Sequence, residues 1–283
     1  TDLSFDQDGV CNYCHQHDVW DGQHQREGLF DLVKKIKGSG SNGHDCVVGV
    51  SGGVDSSYLL YLAKALGLRP IAVHYHNGWD KPVAISNMAA LCLGLDVPLY
   101  RVRLERKITS DIWRKFFLSG SSDLEAPTDI AIAAVLYEAA AKSGVRYILS
   151  GHNFRTEGYT PKCLSYMDGR YIRGIAGDVD GFDEYPNLTL WKWLKWMLRG
   201  IKVVRPLWHI RLSKEQMVAK VGKDISLGDY GQHHAENDFT EWFAYYYRPE
   251  FLGWHGGMYA LSANVRSGFL NRDDALKKYG DPK

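Results

Sequence analysis

The residues with the clearest chemical potential form a glycine-rich turn at 51–56, Ser-Gly-Gly-Val-Asp-Ser. The turn follows an apolar run at 46–50, typical of a buried strand, and precedes a helical stripe at 57–66. Glycines let the backbone approach a ligand closely, and amide groups at a helix N-terminus bind anions. Neither a Walker loop ending nor a dinucleotide fingerprint is present. The sequence therefore predicts another type of phosphate-binding turn, with a purely structural, capped turn as the alternative.

Polar residues also follow two other predicted strands, at 71–76 and 145–150. Ligands of open α/β sheets bind at the carboxyl ends of strands, so we expect these residues to meet the glycine-rich turn at one edge. Glu157, further on, is a candidate magnesium ligand or substrate contact, with a solvated loop carboxylate as the alternative. A half-buried strand histidine is the alternative at position 74. The residues at these strand ends are His74, Asn77, Gly151, His152 and Asn153.

Strands and helices alternate along the first half of the chain. Apolar runs at 46–50, 71–76, 98–104 and 145–150 are separated by helical stripes. Such alternation favours βαβ crossovers. The sequence therefore predicts an α/β fold, an open parallel sheet with helices on both faces.

The pattern divides the chain into three expected regions. Residues 1–45 form a small N-terminal appendage that carries a Cys-x2-Cys pair, and residues 46–180 form the sheet domain. Residues 181–283 are rich in aromatic side chains, show no further clear strand, and predict a mostly helical C-terminal region. Because the sequence starts with Thr1 rather than Met, we expect further residues upstream.

Composition excludes several classes of protein. Of the 283 residues, 45% are hydrophobic and 24% charged, which excludes disordered, collagen-like and disulfide-scaffold proteins. Apolar stretches fall short of the roughly 20 residues that a membrane helix needs, and the acidic start does not resemble a signal peptide. The 34 basic and 33 acidic residues nearly cancel, which disfavours nucleic-acid and membrane partners. We therefore expect a soluble, cytoplasmic protein.

The five cysteines, an odd number, indicate a reducing compartment and free thiols or metal ligands rather than disulfides. Cys11 and Cys14 have the spacing of half a tetrahedral Zn²⁺ site, which His15 and His17 could complete. A pair of reduced thiols is the alternative.

The other three cysteines have different expected roles. Cys46 and Cys92 lie on apolar faces and are expected in the core. Cys163 lies in a loop and is a candidate thiol for sulfur chemistry, although a lone loop cysteine is usually inert.

The turn at 51–56 resembles the pyrophosphate-binding loop of the PP-loop ATP pyrophosphatases, which include GMP, NAD and asparagine synthetases and tRNA thiolases. Those enzymes cleave ATP between the α- and β-phosphates and adenylate a substrate oxygen. The resemblance implies ATP and Mg²⁺ as cofactors, with catalytic roles for Ser51, Asp55 and Glu157. It implies that Ser51, Gly52, Gly53 and Ser56 hold the pyrophosphate and that Asp55 orients magnesium or the loop itself. His74 and Gly151, from their places at the strand ends, are further nucleotide-binding candidates.

A wider set of motifs extends over nearly the whole chain. It comprises the turn and residues 9–14, 77–79, 126–129, 151–158, 230–231, 236 and 267–275. Together these motifs resemble the N-acetyl sugar amidotransferases of bacterial lipopolysaccharide O-antigen and surface-polysaccharide biosynthesis. Those enzymes convert an acetamido group on a nucleotide-linked sugar into an acetamidino group.

This resemblance implies partners and substrate contacts. Ammonia would come from a separate glutaminase and a synthase-like subunit, similar to the two subunits of imidazole glycerol phosphate synthase. Residues 174–178 and 251–257 depart from the family pattern, which leaves the identity of the sugar open. Helix-capping or turn-stabilising roles are the alternatives for Asp129 and Asn153. The substrate-binding residues that the resemblance implies are Asn77, Trp79, Asp129, His152, Asn153, His234 and Glu236.

Such a reaction needs no protein nucleophile. An amide oxygen is a very poor leaving group, but once adenylated it departs as AMP when ammonia attacks. Catalysis then depends on positioning and on stabilising charge at the α-phosphate.

Two other functions remain open. Residues 191–214 interleave four tryptophans with seven basic residues, which indicates either an anion-binding surface or an amphipathic helix with packed tryptophans. The pattern also suits single-stranded RNA, so a thiolase-like, tRNA-modifying adenylating enzyme is the first alternative. A nucleotide-binding protein without turnover is the second.

Overall fold

Five parallel strands form the central sheet of the computed structural model, which describes residues 3–158, 168–229, 231, 235–254 and 256–280. All neighbouring strands pair in parallel, and Val47 lies between Ile71 and Ile148. The predicted open parallel sheet is confirmed. The strands are β1 (Cys46–Gly49), β2 (Pro70–His76), β3 (Leu99–Arg103), β4 (Tyr147–Leu149) and β5 (Lys202–Val204), in the order β3-β2-β1-β4-β5.

Helices connect and flank these strands. Among the described residues the α-helices are α1 (Asn12–Gln23), α2 (Arg26–Ile36), α3 (Val54–Ala65), α4 (Pro82–Gly94), α5 (Arg106–Leu118), α6 (Ala126–Ser143), α7 (Gly169–Ala176), α8 (Leu190–Leu198), α9 (Lys214–Val221), α10 (Asp238–Trp242), α11 (Met258–Arg266) and α12 (Arg272–Gly280). A π-helical segment, Phe243–Leu252, follows α10.

Both faces of the sheet are buried under helices. Val47 belongs to a core formed with α5, α6 and α7, whereas Val48 packs with α2, α3, α4 and α9. Successive side chains of a strand point to opposite faces, so this alternation buries the sheet on both sides. The prediction of helices on both faces is confirmed, and Cys46 and Cys92 lie in the second core as expected.

Three elements differ from the sequence prediction. The region 181–283 contributes β5, whose three residues at the sheet edge are too few to give a recognisable strand pattern. The Cys-x2-Cys pair begins a helix, α1, instead of lying in a loop. Helix α5, which the sequence analysis does not single out, buries Ile108, Ile112 and Phe116 on one face.

The C-terminal region packs onto the sheet domain. Met217 and Val221 of α9 lie in the same core as α3. The proposed boundaries at residues 45 and 180 stay a prediction. Within the described ranges, no helix has both the length and the hydropathy that a membrane crossing requires.

The strand order places a topological switch point at the centre of the sheet. The chain moves from β1 outward through β2 to β3, then returns to the other side of β1 for β4 and β5. Ligands of such sheets bind outside the carboxyl ends of the two strands at the switch point. Here those strands are β1 and β4, which lead into the turn at 51–56 and into residues 151–158.

Candidate active site

The glycine-rich turn connects β1 to α3 at the switch point. Gly52 has a φ of +80°, and a Cβ there would lie 2.4 Å from the Ala84 carbonyl oxygen. Ser56 Oγ accepts a hydrogen bond from the Ser51 amide at 3.2 Å, and Ser51 Oγ accepts one from the Gly53 amide at 3.2 Å. Gly53 is the N-cap of α3 and makes no side-chain cap. The turn thus presents backbone at a helix N-terminus, as a phosphate site requires.

Gly151 packs directly against this turn. A Cβ on Gly151 would lie 3.4 Å from the Ser56 amide nitrogen, so the first residues after β1 and β4 are neighbours. The expected meeting of these two strand ends is therefore present in the structure.

Glu236, from the C-terminal region, covers the other side of the turn. Ser51 Oγ donates to Glu236 Oε1 at 3.2 Å, and a Cβ on Gly53 would lie 2.8 Å from the same oxygen. The Lys81 amide holds this segment by donating to the Glu236 carbonyl at 3.0 Å. A carboxylate next to a bound phosphate group would need a cation between the two charges. Glu236 is therefore a candidate magnesium ligand, and its role as a substrate contact stays a prediction.

Asp55 is buried behind the turn and has two partners that the sequence analysis does not assign to the site. Lys214 Nζ lies 2.8 Å from Asp55 Oδ2, and Thr156 Oγ1 donates to Asp55 Oδ1 at 3.3 Å. Both partners come from distant segments. The sequence signals for these two partners were the position of Lys214 at the end of the basic stretch 191–214 and that of Thr156 within the motif at 151–158. The arrangement keeps a carboxylate and an ammonium group together beside the turn.

The end of β2 carries a compact cluster of His74, His76 and Asp80. His74 Nδ1 donates to the Val50 carbonyl at 2.8 Å, and His74 Nε2 lies 2.9 Å from Asp80 Oδ2. His76 Nδ1 contacts the same carboxylate oxygen. Burial alone would raise the pKa of Asp80, but hydrogen bonds from both histidines and Asn237 outweigh it and lower that pKa. The structure thus surrounds His74 with protein groups, and its nucleotide contact stays a prediction.

The turn after β2 contains one buried residue, Asn77, and one accessible residue, Trp79. Asn77 is buried, and its Oδ1 accepts hydrogen bonds from the Trp79 amide at 3.1 Å and from Asn237 Nδ2 at 2.9 Å. Trp79 is 41% exposed and packs against Trp113 and Phe239. The Trp79 ring can therefore contact a ligand, whereas the Asn77 side chain stabilises the turn.

His152, Asn153 and Glu157 make hydrogen bonds within their own loop. The Asn153 amide donates to Glu157 Oε2 at 3.1 Å, and His152 Nε2 lies 3.1 Å from the Gly158 carbonyl oxygen, so this nitrogen is the donor. The Asn153 side chain is fully buried, and its Oδ1 accepts from the Arg155 amide at 3.1 Å. This geometry favours a turn-stabilising role for Asn153, the alternative already open from the sequence.

For two other predicted substrate-binding residues, the structure describes no contact with the turn at 51–56. Asp129 is exposed in the first turn of α6. His234 lies outside the described residues, as does Tyr230 of the motif set. The substrate-binding roles of Asp129 and His234 stay predictions.

Cys11 and Cys14 lie at the start of α1 with their Sγ atoms 3.4 Å apart. Burial raises the pKa of Cys11, but hydrogen bonds from the backbone of Cys14 and Tyr13 outweigh it and lower that pKa. Burial, together with the neighbouring Cys11 thiol, raises the pKa of Cys14. Cys11 is therefore the more readily deprotonated of the two thiols.

The histidines near this pair have other partners. His15 Nε2 lies 2.6 Å from Asp6 Oδ2, and the buried His17 lies 3.0 Å from Ser267 Oγ through its Nε2. Within the part of the chain that the structure describes, no third metal ligand joins the two thiols. The structural zinc at Cys11 and Cys14 stays a prediction.

The remaining described cysteines are unreactive. Burial raises the pKa of Cys46 to about 12 and that of Cys92 to about 11, so both stay protonated at neutral pH. Cys163 lies outside the described residues.

No family model matches the chain. Among curated proteins, it is 27% identical over 221 residues to the tRNA-specific 2-thiouridylase MnmA 2 of Geobacillus kaustophilus, which covers 71% of this chain and 55% of that protein. It is 28% identical over 151 residues to the tRNA-specific 2-thiouridylase MnmA of Bacillus mycoides, covering 47% and 38% of the two chains. The chain thus spans about half the length of the first of these relatives.

Two solved structures are also similar. The U34-tRNA thiolase NcsA from Methanococcus maripaludis, with its [4Fe-4S] cluster, matches with a TM-score of 0.43 and 15% identity, over 86% of this chain and 78% of that one. The NH3-dependent NAD synthetase from Campylobacter jejuni matches with a TM-score of 0.37 and 18% identity, over 75% and 99%.

The site and the sequence relatives agree at the level of the superfamily. A backbone-lined Ser-Gly-Gly-x-Asp-Ser turn lies at the switch point of a parallel sheet, and the relatives named above are tRNA thiouridylases. These observations support assignment of the chain to the PP-loop ATP pyrophosphatase superfamily, whose members use ATP, without fixing the family within it.

Proposed function

We propose that the chain adenylates the acetamido oxygen of a nucleotide-linked N-acetyl sugar and that ammonia then replaces this oxygen, giving an acetamidino group. The observation that carries the proposal is the contact between Ser51 of the phosphate turn and Glu236, which belongs to the motif set of the N-acetyl sugar amidotransferases. Other parts of that set also meet: Ser267 Oγ donates to the Arg155 carbonyl at 3.0 Å. Motifs of this set that are distant in the sequence thus contact one another in the structure.

The turn binds the phosphate chain of ATP in this proposal. Backbone amides at the start of α3 and the hydroxyl groups of Ser51 and Ser56 hold the pyrophosphate part, since helix N-termini favour anions. Lys214, held by Asp55, adds positive charge beside it. Magnesium, when bound, neutralises phosphate charge, and Glu236 is the carboxylate whose position fits it.

Two displacement steps complete the reaction. The acetamido oxygen attacks the α-phosphorus, the bond to the bridging oxygen breaks, pyrophosphate leaves, and the amide nitrogen loses its proton. Ammonia then adds to the imidate carbon, the C–O bond breaks to release AMP, and the extra ammonia proton stays on the product as an amidinium ion. The protein's contribution to both steps is to align the reactants and to stabilise the charge that develops on phosphate.

A small depression at the end of β2 carries side chains that can contact part of a sugar nucleotide. It is lined by Trp79, Arg103 and Arg106, together with residues at the end of β2. An exposed indole ring stacks on a sugar or base, and guanidinium groups bind phosphate or carboxylate. A partner glutaminase with a synthase-like subunit supplies the ammonia in this proposal, and the reaction takes place in the cytoplasm.

The test is a product analysis with purified protein, ATP, magnesium, a high concentration of ammonium and a UDP-linked diacetamido hexuronic acid. Ammonium replaces the partner. We expect AMP, pyrophosphate and a sugar in which one oxygen has become NH, identified by mass spectrometry. ATP consumption that does not depend on the sugar would contradict the proposed substrate.

A second candidate, tRNA thiolation, is favoured by the similarity to two tRNA-specific 2-thiouridylases. In the same assay, unmodified tRNA and a sulfide donor replace the sugar and ammonium. AMP formation that requires tRNA, falls steeply with salt and is lost in Cys11→Ser would favour this candidate. AMP formation that requires the sugar and persists in Cys11→Ser would favour the amidotransferase.

A further inference from the structure

We propose that His74, His76 and Asp80 form a binding site for a divalent transition metal of the zinc class, distinct from the magnesium that accompanies ATP. One ligand atom of each residue lies within 4.8 Å of the other two, and these three residues are the one such group found among the described residues. Two imidazoles and one carboxylate are a common ligand set for zinc and for non-haem iron.

The hydrogen-bonding pattern of His74 argues for a cation at this point. Its Nδ1 faces the Val50 carbonyl at 2.8 Å, and because a carbonyl only accepts, Nδ1 carries the hydrogen. In the neutral ring, Nε2 then has a lone pair directed at Asp80 Oδ2, which is 2.9 Å away. Two acceptors at this distance require a positive centre between them, either a proton or a metal ion.

The same carboxylate oxygen has a second imidazole beside it. His76 Nδ1 also contacts Asp80 Oδ2, so one nitrogen of each ring and one carboxylate oxygen converge at this point. Residues two apart on a strand share a face, which is why β2 presents both rings to Asp80. A single metal ion satisfies all three atoms at once.

The surroundings resemble the outer layer of a metal site. Histidine ligands normally donate their other ring nitrogen to a backbone carbonyl, as His74 does to Val50, and ligating carboxylates are themselves hydrogen-bonded. Asn237 Nδ2 donates to Asp80 Oδ1 at 3.2 Å, leaving Oδ2 for the histidines. An isolated antiparallel bridge between Asp80 and Asn237 fixes the two backbones.

One side of the cluster is accessible. The side chains of His74 and Asp80 are 6% and 7% exposed, whereas that of His76 is 23% exposed and lines the depression with Arg103 and Arg106. A metal held here reaches the depression, where a water or an anionic oxygen completes its coordination. Imidazole nitrogen selects zinc, iron or copper over magnesium, so the two metals do not compete.

The experiment measures metal binding directly. Full-length protein carrying Cys11→Ser and Cys14→Ser, which excludes thiolate ligands, is titrated with Co²⁺ and its visible absorption is recorded. Zinc retained after gel filtration is counted by elemental analysis. We expect one bound ion per chain, at least tenfold weaker binding in His76→Ala and in Asp80→Asn, and weaker binding in Asn237→Ala.

Matched variants separate ligand loss from misfolding. His15→Ala removes an exposed imidazole that also contacts a carboxylate, so it leaves the cobalt spectrum unchanged. If the double serine variant does not fold, wild-type protein is used, and a cobalt signal without thiolate charge transfer that disappears in His76→Ala supports the site. The proposal is overturned if the folded protein binds no stoichiometric metal. It is also overturned if His76→Ala and Asp80→Asn bind the metal as tightly as the parent protein.

Discussion

The two halves of the proposed phosphate site arise in different ways. The turn at 51–56 is local: a buried strand, two glycines and a helix start follow one another in the sequence. The charged groups around it are remote, because Lys214 and Glu236 arrive from α9 and from the segment before α10. In the proposed site, the local half supplies the backbone that holds the anion, whereas the remote half supplies the charged side chains around it.

The largest expected effect is in the local half. Gly52→Ala places a Cβ on a residue with a φ of +80° and 2.4 Å from the Ala84 carbonyl oxygen, so the turn must move. A shift of about 1 Å in a catalytic loop costs roughly 100-fold in rate, and we expect at least that loss of AMP formation. The measurement is the steady-state rate of AMP release.

Gly120→Ala is the control for the backbone effect. Gly120 has a φ of +69°, but a Cβ there meets nothing within 4 Å. The control therefore has the same conformational cost without the collision. Equal activity losses in the two variants would mean that the close approach to Ala84 is unimportant.

The next effect concerns the remote carboxylate. Glu236→Gln keeps the size of the side chain and removes its charge, so we expect a loss of about tenfold to 100-fold in kcat and a higher magnesium requirement. AMP formation is measured as a function of magnesium concentration. Glu241→Gln is the control, because Glu241 is ion-paired with Lys81 at 2.6 Å instead of contacting the turn. An unchanged magnesium dependence in Glu236→Gln would argue against its role as a ligand.

The third effect tests the remote cation. Lys214→Met leaves the buried Asp55 carboxylate without its ammonium partner, and we expect the free energy of unfolding to fall by about 1–3 kcal/mol. Adding Asp55→Asn removes the unpaired charge, so stability returns in part while AMP formation stays low. Urea denaturation and the AMP assay are compared across wild type, Lys214→Met, Asp55→Asn and the double variant.

Lys220→Met, at an exposed position of the same helix, controls for the loss of a surface charge. Additive losses of stability in the Asp55 and Lys214 variants would mean that the two groups do not interact energetically.

The same contrast explains how far the sequence could predict the structure. Strand β1, the turn and α3 could be predicted because hydrophobic period, glycine placement and helix start agree within about 20 residues. The pairing of Asp55 with Lys214, the cover by Glu236 and the Asp80–Asn237 bridge depend on contacts between distant segments, and no local pattern encodes them.

Two further differences have equally physical causes. Strand β5 has only three residues at the edge of the sheet, where one neighbour is enough and a long apolar run is not needed. His76 and Asp80 lie close to His74 in the sequence but were not predicted as site residues, because no local pattern shows that their side chains meet. Asn237, the third partner of the Asp80 carboxylate, comes from a distant segment.

The smallest expected effect concerns Asp45, which anchors the backbone at the start of β1. Asp45, directly before β1, accepts hydrogen bonds from the Gly38 amide at 2.8 Å and from Arg69 Nη2 at 2.9 Å. Burial raises the pKa of Asp45, but these bonds outweigh it and lower that pKa below its ordinary 3.8. A carboxylate with a lowered folded-state pKa stabilises the fold above its unfolded pKa, and this contribution disappears as pH falls through the folded value. Asp45→Asn should therefore be less stable than wild type at neutral pH and should approach wild-type stability in acid. The measurement is the urea midpoint as a function of pH. Asp31→Asn, at an exposed position, is the control and should show no such convergence.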